Sequence, residues 1–185
     1  NLLIEIYKQK ELITIFLEEL NNNNKHTNLV GRSTLSAAWD RHVCDSIQIV
    51  SHIKNKKSRI IDIGSGAGIP GVFLSIMGFK NVLMVDSTKK KTDFIKKVLL
   101  KLNISAKVIN ERIENLKVSP AEYVVCRALA PLEKLMSYSL LLSNKETSLL
   151  FLKGRNAKKE IKEAKKFFYF NYELFNSLSS GGGAV

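Results

Sequence analysis

Residues 59–71 read RIIDIGSGAGIPG, an apolar run that leads directly into a glycine-rich turn. Isoleucines at 60, 61 and 63 favour a parallel strand that is covered on both faces. The glycines that follow let the chain turn sharply and let its backbone approach a ligand closely. A second apolar run, residues 81–85, ends at Asp86, which places an acid at the carboxyl end of a second strand. This order of elements predicts a nucleotide-type ligand site at the strand ends.

The glycine spacing fits two kinds of ligand. Residues 66–71 satisfy the dinucleotide pattern G-x-G-x-x-G, and Asp86 lies where a ribose-binding acid is expected. However, the turn begins earlier, at Gly64, and an acid already ends the strand at Asp62, while Pro70 is placed to open the next helix. Residues 62–68, DIGSGAG, resemble the first motif of the S-adenosylmethionine-dependent methyltransferases, in which an acid suits a ligand with an ammonium group. We therefore favour S-adenosylmethionine, with a dinucleotide and a ligand-free structural turn as the alternatives.

Composition limits the class of protein. The chain has 185 residues, enough for one domain with a full core. It contains no apolar run of 18 residues and no signal-peptide pattern, so we expect no membrane span and a cytoplasmic protein. Two cysteines, Cys44 and Cys126, and three scattered histidines lack metal-ligand spacing. We therefore expect reduced, buried thiols and no metal site.

The net charge of +12 is high for an enzyme that acts on a neutral metabolite. Such an excess of lysine and arginine predicts a polyanionic partner such as RNA, although an AT-rich genome also raises lysine content. The basic residues cluster at four places: 54–57, 89–91, 96–97 and 158–166. Most of them are expected on solvated helix faces, so only some are predicted to contact phosphate.

The remaining pattern is two helices followed by alternating strands and helices. An apolar stripe predicts a helix over 2–20, closed by a polar loop of asparagines at 21–24, and a second helix over 34–53 with Ser33 as its cap and Trp39 facing inward. Ser87 is predicted to cap the helix that follows Asp86. Further strands are predicted at 106–109, 123–126 and 148–152, with helices near 131–143 and 155–166. This alternation predicts an α/β fold, a Rossmann-like class I methyltransferase with a mostly parallel, doubly wound sheet.

One domain, 1–185, is predicted, with three parts. Residues 1–55 form an N-terminal helical extension, 56–176 form the cofactor-binding sheet core, and 177–185 form a flexible or truncated tail. The aromatic-rich segment 167–175 is expected to form a strand. A methyltransferase sheet normally closes with an antiparallel strand pair, so its last strand is expected to be missing.

Five blocks of sequence resemble one family. They are Asn28-Leu29-Val30, Arg41-His42-x-x-Asp45-Ser46, the glycine turn 62–71, Cys126-Arg127-Ala128 and Leu152-Lys153-Gly154. In this order they resemble the bacterial small-subunit ribosomal RNA guanine-N7 methyltransferases, the glucose-inhibited division protein B family. The resemblance implies methylation of N7 of a guanine in 16S rRNA, at guanine 527, on free rRNA or on the small ribosomal subunit. We expect a monomer.

The resemblance also implies the site residues. The cofactor is expected to contact Asp62, Gly64, Gly66, Gly68, Ile69, Asp86, Ile113, Glu114 and Arg127. The guanine and its phosphates are expected to contact Asn28, Arg41, His42, Arg127 and Lys153. Structural roles stay open for Asp62 as a loop brace, for Asp86 as a turn acid, for Glu114 as a helix-start acid and for His42 as a hydrogen-bonded core histidine. The other functions left open are an NAD-linked oxidoreductase and a non-catalytic RNA-binding protein that retains the fold.

Overall fold

A computed structural model describes residues 2–31, 35–178 and 183–185, and its centre is a five-stranded sheet. The strands are β1 (Ile60–Ile63), β2 (Val82–Asp86), β3 (Lys107–Asn110), β4 (Tyr123–Arg127) and β5 (Ser148–Leu152). Their order across the sheet is β3-β2-β1-β4-β5, and every neighbouring pair is parallel. The predicted α/β fold is confirmed. The order reverses beside β1, so the ligand crevice is expected at the carboxyl ends of β1, β2 and β4.

Helices cover both faces of the sheet. They are α1 (Leu2–Lys8), α2 (Lys10–Asn24), α3 (Asp45–Ile47), α4 (Gly71–Ile76), α5 (Lys89–Lys101), α6 (Leu132–Leu140) and α7 (Ala157–Ala164). One face packs on α2, α4 and α5, where the rings of Phe16 and Phe73 meet edge to face with centroids 4.9 Å apart. The other face packs on α6 and α7 through Leu135 and Ile161. Burial on both faces explains why β1 and β2 are apolar except for the acids Asp62 and Asp86.

The asparagine run 21–24 does not form the predicted loop, because α2 continues to Asn24. Asn24 is buried, and its side-chain oxygen accepts hydrogen bonds from the backbone N–H groups of Leu29 and Val30 at 2.8 and 2.9 Å. Its amide nitrogen donates to the carbonyl of Val30. A side chain that satisfies the backbone of the next turn makes asparagine favourable at this helix end.

The second predicted helix is divided into three parts. Residues Trp39–Cys44 form a π-helix, α3 follows, and Gln48–His52 form a 3₁₀-helix. The predicted cap Ser33 lies outside the described residues. Trp39 is 40% exposed rather than inward-facing. The wider π-helical turn changes which residues share a face, so the 3.6-residue period predicts the wrong face for Trp39.

The start of α5 also differs from the prediction. Thr88, in an extended conformation, occupies the position before the first helical residue, so Ser87 is not the cap. The apolar face of the helix is confirmed, since Phe94, Ile95, Val98, Leu99 and Leu102 are all buried. Cys126 is buried as expected, whereas Cys44 is only half-buried, and both thiols are free.

The segment 167–175 is not a strand within the part of the chain that the structure describes. Instead, Ala184 forms antiparallel bridges with Lys153 and Asn176, and Val185 exchanges two backbone hydrogen bonds with Phe175. These contacts bring the tail to the carboxyl end of β5. A cavity of about 520 Å³ lies between β5 and residues 170–175. Within the described ranges, no helix is long and apolar enough to cross a membrane, and no cluster of potential ligands suits a metal ion.

Candidate active site

The glycine turn at the carboxyl end of β1 has the backbone that the sequence predicted. Gly64 and Gly66 have φ values of +65° and +58°, in the left-handed region that side-chain-bearing residues rarely adopt. A Cβ atom on Gly64 would lie 2.5 Å from Cδ1 of Leu129, so a side chain here would also force Leu129 to move. Gly68 shares the left-handed conformation, and Ile69 is buried beside it.

Asp62 is completely buried beneath this turn. Its Oδ2 atom accepts a hydrogen bond of 2.9 Å from the backbone N–H of Gly71, the first residue of α4. Its Oδ1 atom has no hydrogen-bond partner among the residues that the structure describes. Burial raises the pKa of this carboxyl group to about 7. Asp62 therefore braces the turn and also presents an unsatisfied acceptor.

Asp86 connects the turn to the end of β2. Its two carboxylate oxygens accept hydrogen bonds from the backbone N–H groups of Gly66, at 2.9 Å, and Thr88, at 2.8 Å. A carboxylate has about four acceptor positions, so these two bonds leave capacity for ligand hydroxyl groups. The turn-acid role and the ligand role are therefore compatible.

Ser65 is a residue of this site that the sequence argument missed. Its hydroxyl donates to the carbonyl of Asp62 at 2.8 Å and accepts from the N–H of Val85 at 3.1 Å. Its backbone N–H donates to the carbonyl of Val85. A hydroxyl residue between two glycines was the available signal, because such side chains bond local backbone in turns.

Ile113 and Glu114 lie in a single 3₁₀ turn after β3. Ile113 is buried in the apolar cluster on the α6 and α7 side of the sheet, and Glu114 is exposed. Of these two residues, only Glu114 is therefore open to solvent. If Glu114 acts as a helix-start acid, it stabilises only this turn of three residues.

Arg127, at the carboxyl end of β4, holds the 41–45 block against the sheet. Its Nε atom donates to Oδ2 of Asp45 at 3.0 Å, Nη1 lies 3.0 Å from Nδ1 of His42, and Nη2 donates to the carbonyl of Arg41 at 2.6 Å. The side chains of Arg127 and Asp45 are only 17% and 18% exposed. Two blocks separated by more than 80 residues in sequence thus meet in one network.

His42 accepts a hydrogen bond from Arg127. Every guanidinium nitrogen is a donor, so Nδ1 of His42 must be unprotonated and the neutral ring carries its proton on Nε2. Burial, together with the charges of Arg127 and Arg41, lowers the pKa of His42 to about 4. The structure therefore shows a hydrogen-bonded, neutral core histidine at this position.

The other predicted RNA-side residues lie around this network. Arg41 is exposed, and only its carbonyl takes part in the described contacts of Arg127. Asn28 is exposed in the loop that Asn24 holds. Lys153 is largely buried, and its Nζ atom donates to the carbonyl of Ala130 at 2.9 Å and pairs with Glu160 at 2.7 Å. Lys153 therefore fixes the loop that follows Arg127.

That loop contains two further residues missed at the level of sequence. Ala128 has a φ of +53°, a conformation that costs a non-glycine residue about 1–2 kcal/mol. It turns the chain so that Leu129, 38% exposed, lies over Gly64. Leu129 thus covers the cofactor turn at Gly64. A single Cys-Arg-Ala motif gives no sign of this conformation.

Comparison with known proteins identifies the family of this chain. A family model described as "rRNA small subunit methyltransferase G" matches residues 9–182. The protein of that name from Rickettsia prowazekii (strain Madrid E) is 37% identical over 175 residues, covering 95% of this chain and 91% of its own. The one from Orientia tsutsugamushi (strain Ikeda) is 42% identical over 156 residues, covering 84% and 78%.

Solved structures support the fold. The ribosomal protein L11 methylase of Lactobacillus delbrueckii subsp. bulgaricus has a TM-score of 0.64 at 17% identity, covering 78% of this chain and 76% of its own. A TehB-like SAM-dependent methyltransferase of Corynebacterium glutamicum has a TM-score of 0.61 at 15% identity, covering 90% and 95%. The chain thus shares the fold of these solved methyltransferases. The chain is a methyltransferase and belongs to the rRNA small subunit methyltransferase G family.

Proposed function

We propose that this chain transfers a methyl group from S-adenosylmethionine to N7 of a guanine in 16S rRNA, at the position corresponding to guanine 527. The observation that carries the proposal is the meeting of Arg127 with the 41–45 block beside the glycine turn. This places forked hydrogen-bond donors next to the cofactor crevice. The membership of the chain in the small-subunit rRNA methyltransferase family supports rRNA as the substrate.

The residues present fit S-adenosylmethionine. The buried Oδ1 of Asp62 suits the ammonium group of the methionine moiety, and the remaining acceptor capacity of Asp86 suits the ribose hydroxyls. The backbone wall of the cofactor site is assigned to Gly64, Gly66, Gly68 and Ile69. The adenine end of the cofactor is assigned to Ile113 and Glu114. When bound, the cofactor supplies an electrophilic methyl group on a sulfonium centre. A dinucleotide would place a pyrophosphate at the glycine turn above Asp62, and a carboxylate there disfavours it.

The reaction requires no general base. N7 of guanine carries an in-plane lone pair, so the methyl group passes to it without prior removal of a proton. Transfer from a bound cofactor would move positive charge from its sulfur to the base. Catalysis by this chain is therefore mainly alignment of N7 with the methyl group, assisted by hydrogen bonds. The neutral His42 fits this scheme, because its Nδ1 atom is already occupied by Arg127.

Arg127 is assigned to the guanine. A guanidinium has five N–H donors, and the described contacts use three of them. The remaining donors suit the O6 acceptor of guanine or a phosphate, as well as the edge of the cofactor site. Arg41 and Asn28 are assigned to the RNA backbone from their exposure. Lys153 acts by holding the loop that follows Arg127, and His42 acts by holding Arg127 itself.

We also propose that the enzyme is monomeric and cytoplasmic.

The test combines binding with product mapping. Isothermal titration should detect S-adenosylmethionine and S-adenosylhomocysteine but not NAD. Methylation of 16S rRNA from cells that lack the modification, followed by reduction and aniline cleavage, should give a break at one guanine. NAD binding would favour the oxidoreductase alternative. RNA binding with a steep salt dependence but no cleavage product would favour a non-catalytic RNA-binding protein.

A further inference from the structure

We propose that Ser177 in the C-terminal tail is a positioning residue for methyl transfer, which acts through Asp45 on Arg127. The inference rests on the proposed function, in which Arg127 holds the guanine. Ser177 lies 132 positions after Asp45 in sequence, yet its hydroxyl donates a hydrogen bond of 2.8 Å to Oδ1 of Asp45. The other carboxylate oxygen, Oδ2, accepts the Nε–H of Arg127.

Asp45 therefore stands between the tail and the sheet. Gln48, one turn along the 39–52 segment, donates to Oδ1 of Asp45 at 3.1 Å and to its carbonyl at 2.8 Å. The same amide donates to the hydroxyl of Ser177 at 3.2 Å. Gln48 is buried, and the side chain of Asp45 is only 18% exposed. Hydrogen bonds to a carboxylate are stronger than those between neutral groups. Ser177 gives Asp45 the shorter of the two described Oδ1 contacts.

The tail is itself fixed at several points. The N–H of Leu178 donates to Oε1 of Gln48 at 2.9 Å, and the N–H of Ser177 donates to the carbonyl of Gly183 at 3.0 Å. Ala184 exchanges two backbone hydrogen bonds of 2.8 Å with Lys153. The tail thus joins Lys153, at the end of β5, to the network that orients Arg127, at the end of β4.

This arrangement has a catalytic consequence. An arginine that aligns a base within a few tenths of an ångström requires a carboxylate partner whose own rotamer is fixed. Removing the Ser177 hydroxyl leaves the Asp45–Arg127 pair in place but leaves Oδ1 of Asp45 with only the longer described contact, from Gln48, so the carboxylate is held less firmly. The guanidinium then samples positions in which its outward donors no longer match the guanine.

The principal experiment compares Ser177→Ala with the wild-type chain in 16S rRNA methylation. We expect kcat to fall about three- to tenfold, with an unchanged KM for S-adenosylmethionine, because the glycine turn is not touched. Ser177→Thr keeps the hydroxyl and should restore most of the rate. Ser143→Ala is the matched control, since Ser143 is also half-buried but donates only to the carbonyl of Ser139.

A double-mutant cycle separates positioning from general destabilisation. In an Arg127→Lys background, Ser177→Ala should cause no further loss of kcat, because the group through which Ser177 acts is already absent. Losses that multiply in the double variant, or a wild-type kcat in Ser177→Ala, would overturn the inference.

A direct measurement needs no substrate. The Nε–H signal of Arg127 in NMR spectra, assigned by its loss in Arg127→Lys, should exchange with solvent faster in Ser177→Ala and at the normal rate in Ser143→Ala. If the Nε–H of Arg127 exchanged at the same rate in Ser177→Ala and Ser143→Ala, the inference would also be overturned. Failure of the proposed function is distinguishable, because the wild-type chain would then give no cleavage at a single guanine whatever the NMR exchange shows.

Discussion

The two halves of the site are built differently. In the cofactor half, the acids Asp62 and Asp86 bind backbone amides that lie 9 and 20 positions away in sequence. In the RNA half, Arg127 binds residues that lie 82 to 86 positions away, and Asp45 then binds Ser177, 132 positions further on. One half is local and uses backbone donors. The other half joins three remote segments mainly through side chains.

This difference predicts different responses to substitution. A turn made by glycine φ angles and backbone amides holds its shape when a side chain in the RNA half changes. A network of side chains loses alignment when any member changes. We therefore expect substitutions in the cofactor half to act on affinity for S-adenosylmethionine, and substitutions in the RNA half to act on kcat.

The largest effect is expected for Arg127→Lys. Lysine keeps the charge but loses the planar fork that contacts Asp45, His42 and Arg41 together. We expect kcat to fall by about 100-fold or more, as for loss of a donor that stabilises a transition state. Titration with S-adenosylmethionine should show a much smaller change. If cofactor affinity fell as much as kcat, the two halves of the site would not be separable. If kcat stayed at the wild-type value, Arg127 would not be a residue of the site.

Asp86→Ala should show the opposite pattern. The change removes acceptors for the ribose hydroxyls and leaves the N–H of Gly66 without its described partner. We expect cofactor binding to weaken by about 1–3 kcal/mol, measured by isothermal titration. Asp93→Ala is the control, because Asp93 is an exposed acid that pairs with Lys89 on α5. Affinity equal to wild type in Asp86→Ala would leave Asp86 as a turn acid alone.

The same contrast explains what could be predicted from sequence. The parallel sheet, the glycine turn and the two acids were predictable, because strand ends and left-handed glycines follow from local pattern. The partners of Arg127 were not, since residue spacing does not show which remote segment meets the end of β4. Family resemblance brought Arg41, His42 and Arg127 into one site but did not pair them.

The errors in the sequence predictions concern local backbone geometry. The π-helix at 39–44 leaves Trp39 40% exposed, and α2 continues to Asn24, whose side chain binds backbone N–H groups five and six positions away. The left-handed Ala128 has no local signal at all.

Asp62→Asn tests the buried acceptor of the cofactor half. The folded pKa of Asp62 is about 7, so the free protein must release a proton near neutrality before the carboxylate can meet an ammonium group. Wild-type affinity for S-adenosylmethionine should therefore rise as the pH increases from about 6 to 7.5. Asp62→Asn should bind about tenfold more weakly at pH 7.5 and show a flatter profile, because a charge-assisted hydrogen bond is lost. A profile equal to wild type would limit Asp62 to bracing the turn.

His42→Gln tests the RNA half through stability rather than through rate. The folded pKa of His42 is about 4, below its ordinary value of 6.5, so the unfolded chain binds the proton first as the pH falls. The stability contributed by neutral His42 is complete above pH 6.5 and is lost as the pH decreases towards 4, at up to about 1.4 kcal/mol per pH unit. Asp62, whose folded pKa is raised, has the opposite sign between pH 4 and 7.

The two slopes oppose each other in the wild-type chain, so the measurement is the difference between variants in urea unfolding from pH 7 to 5. His42→Gln should lose less stability on acidification than wild type, and Asp62→Asn should lose more. His26→Gln, at an exposed histidine, is the control for His42→Gln. A wild-type slope in His42→Gln would mean that His42 takes up its proton without breaking the bond from Arg127, which the neutral-acceptor geometry does not allow.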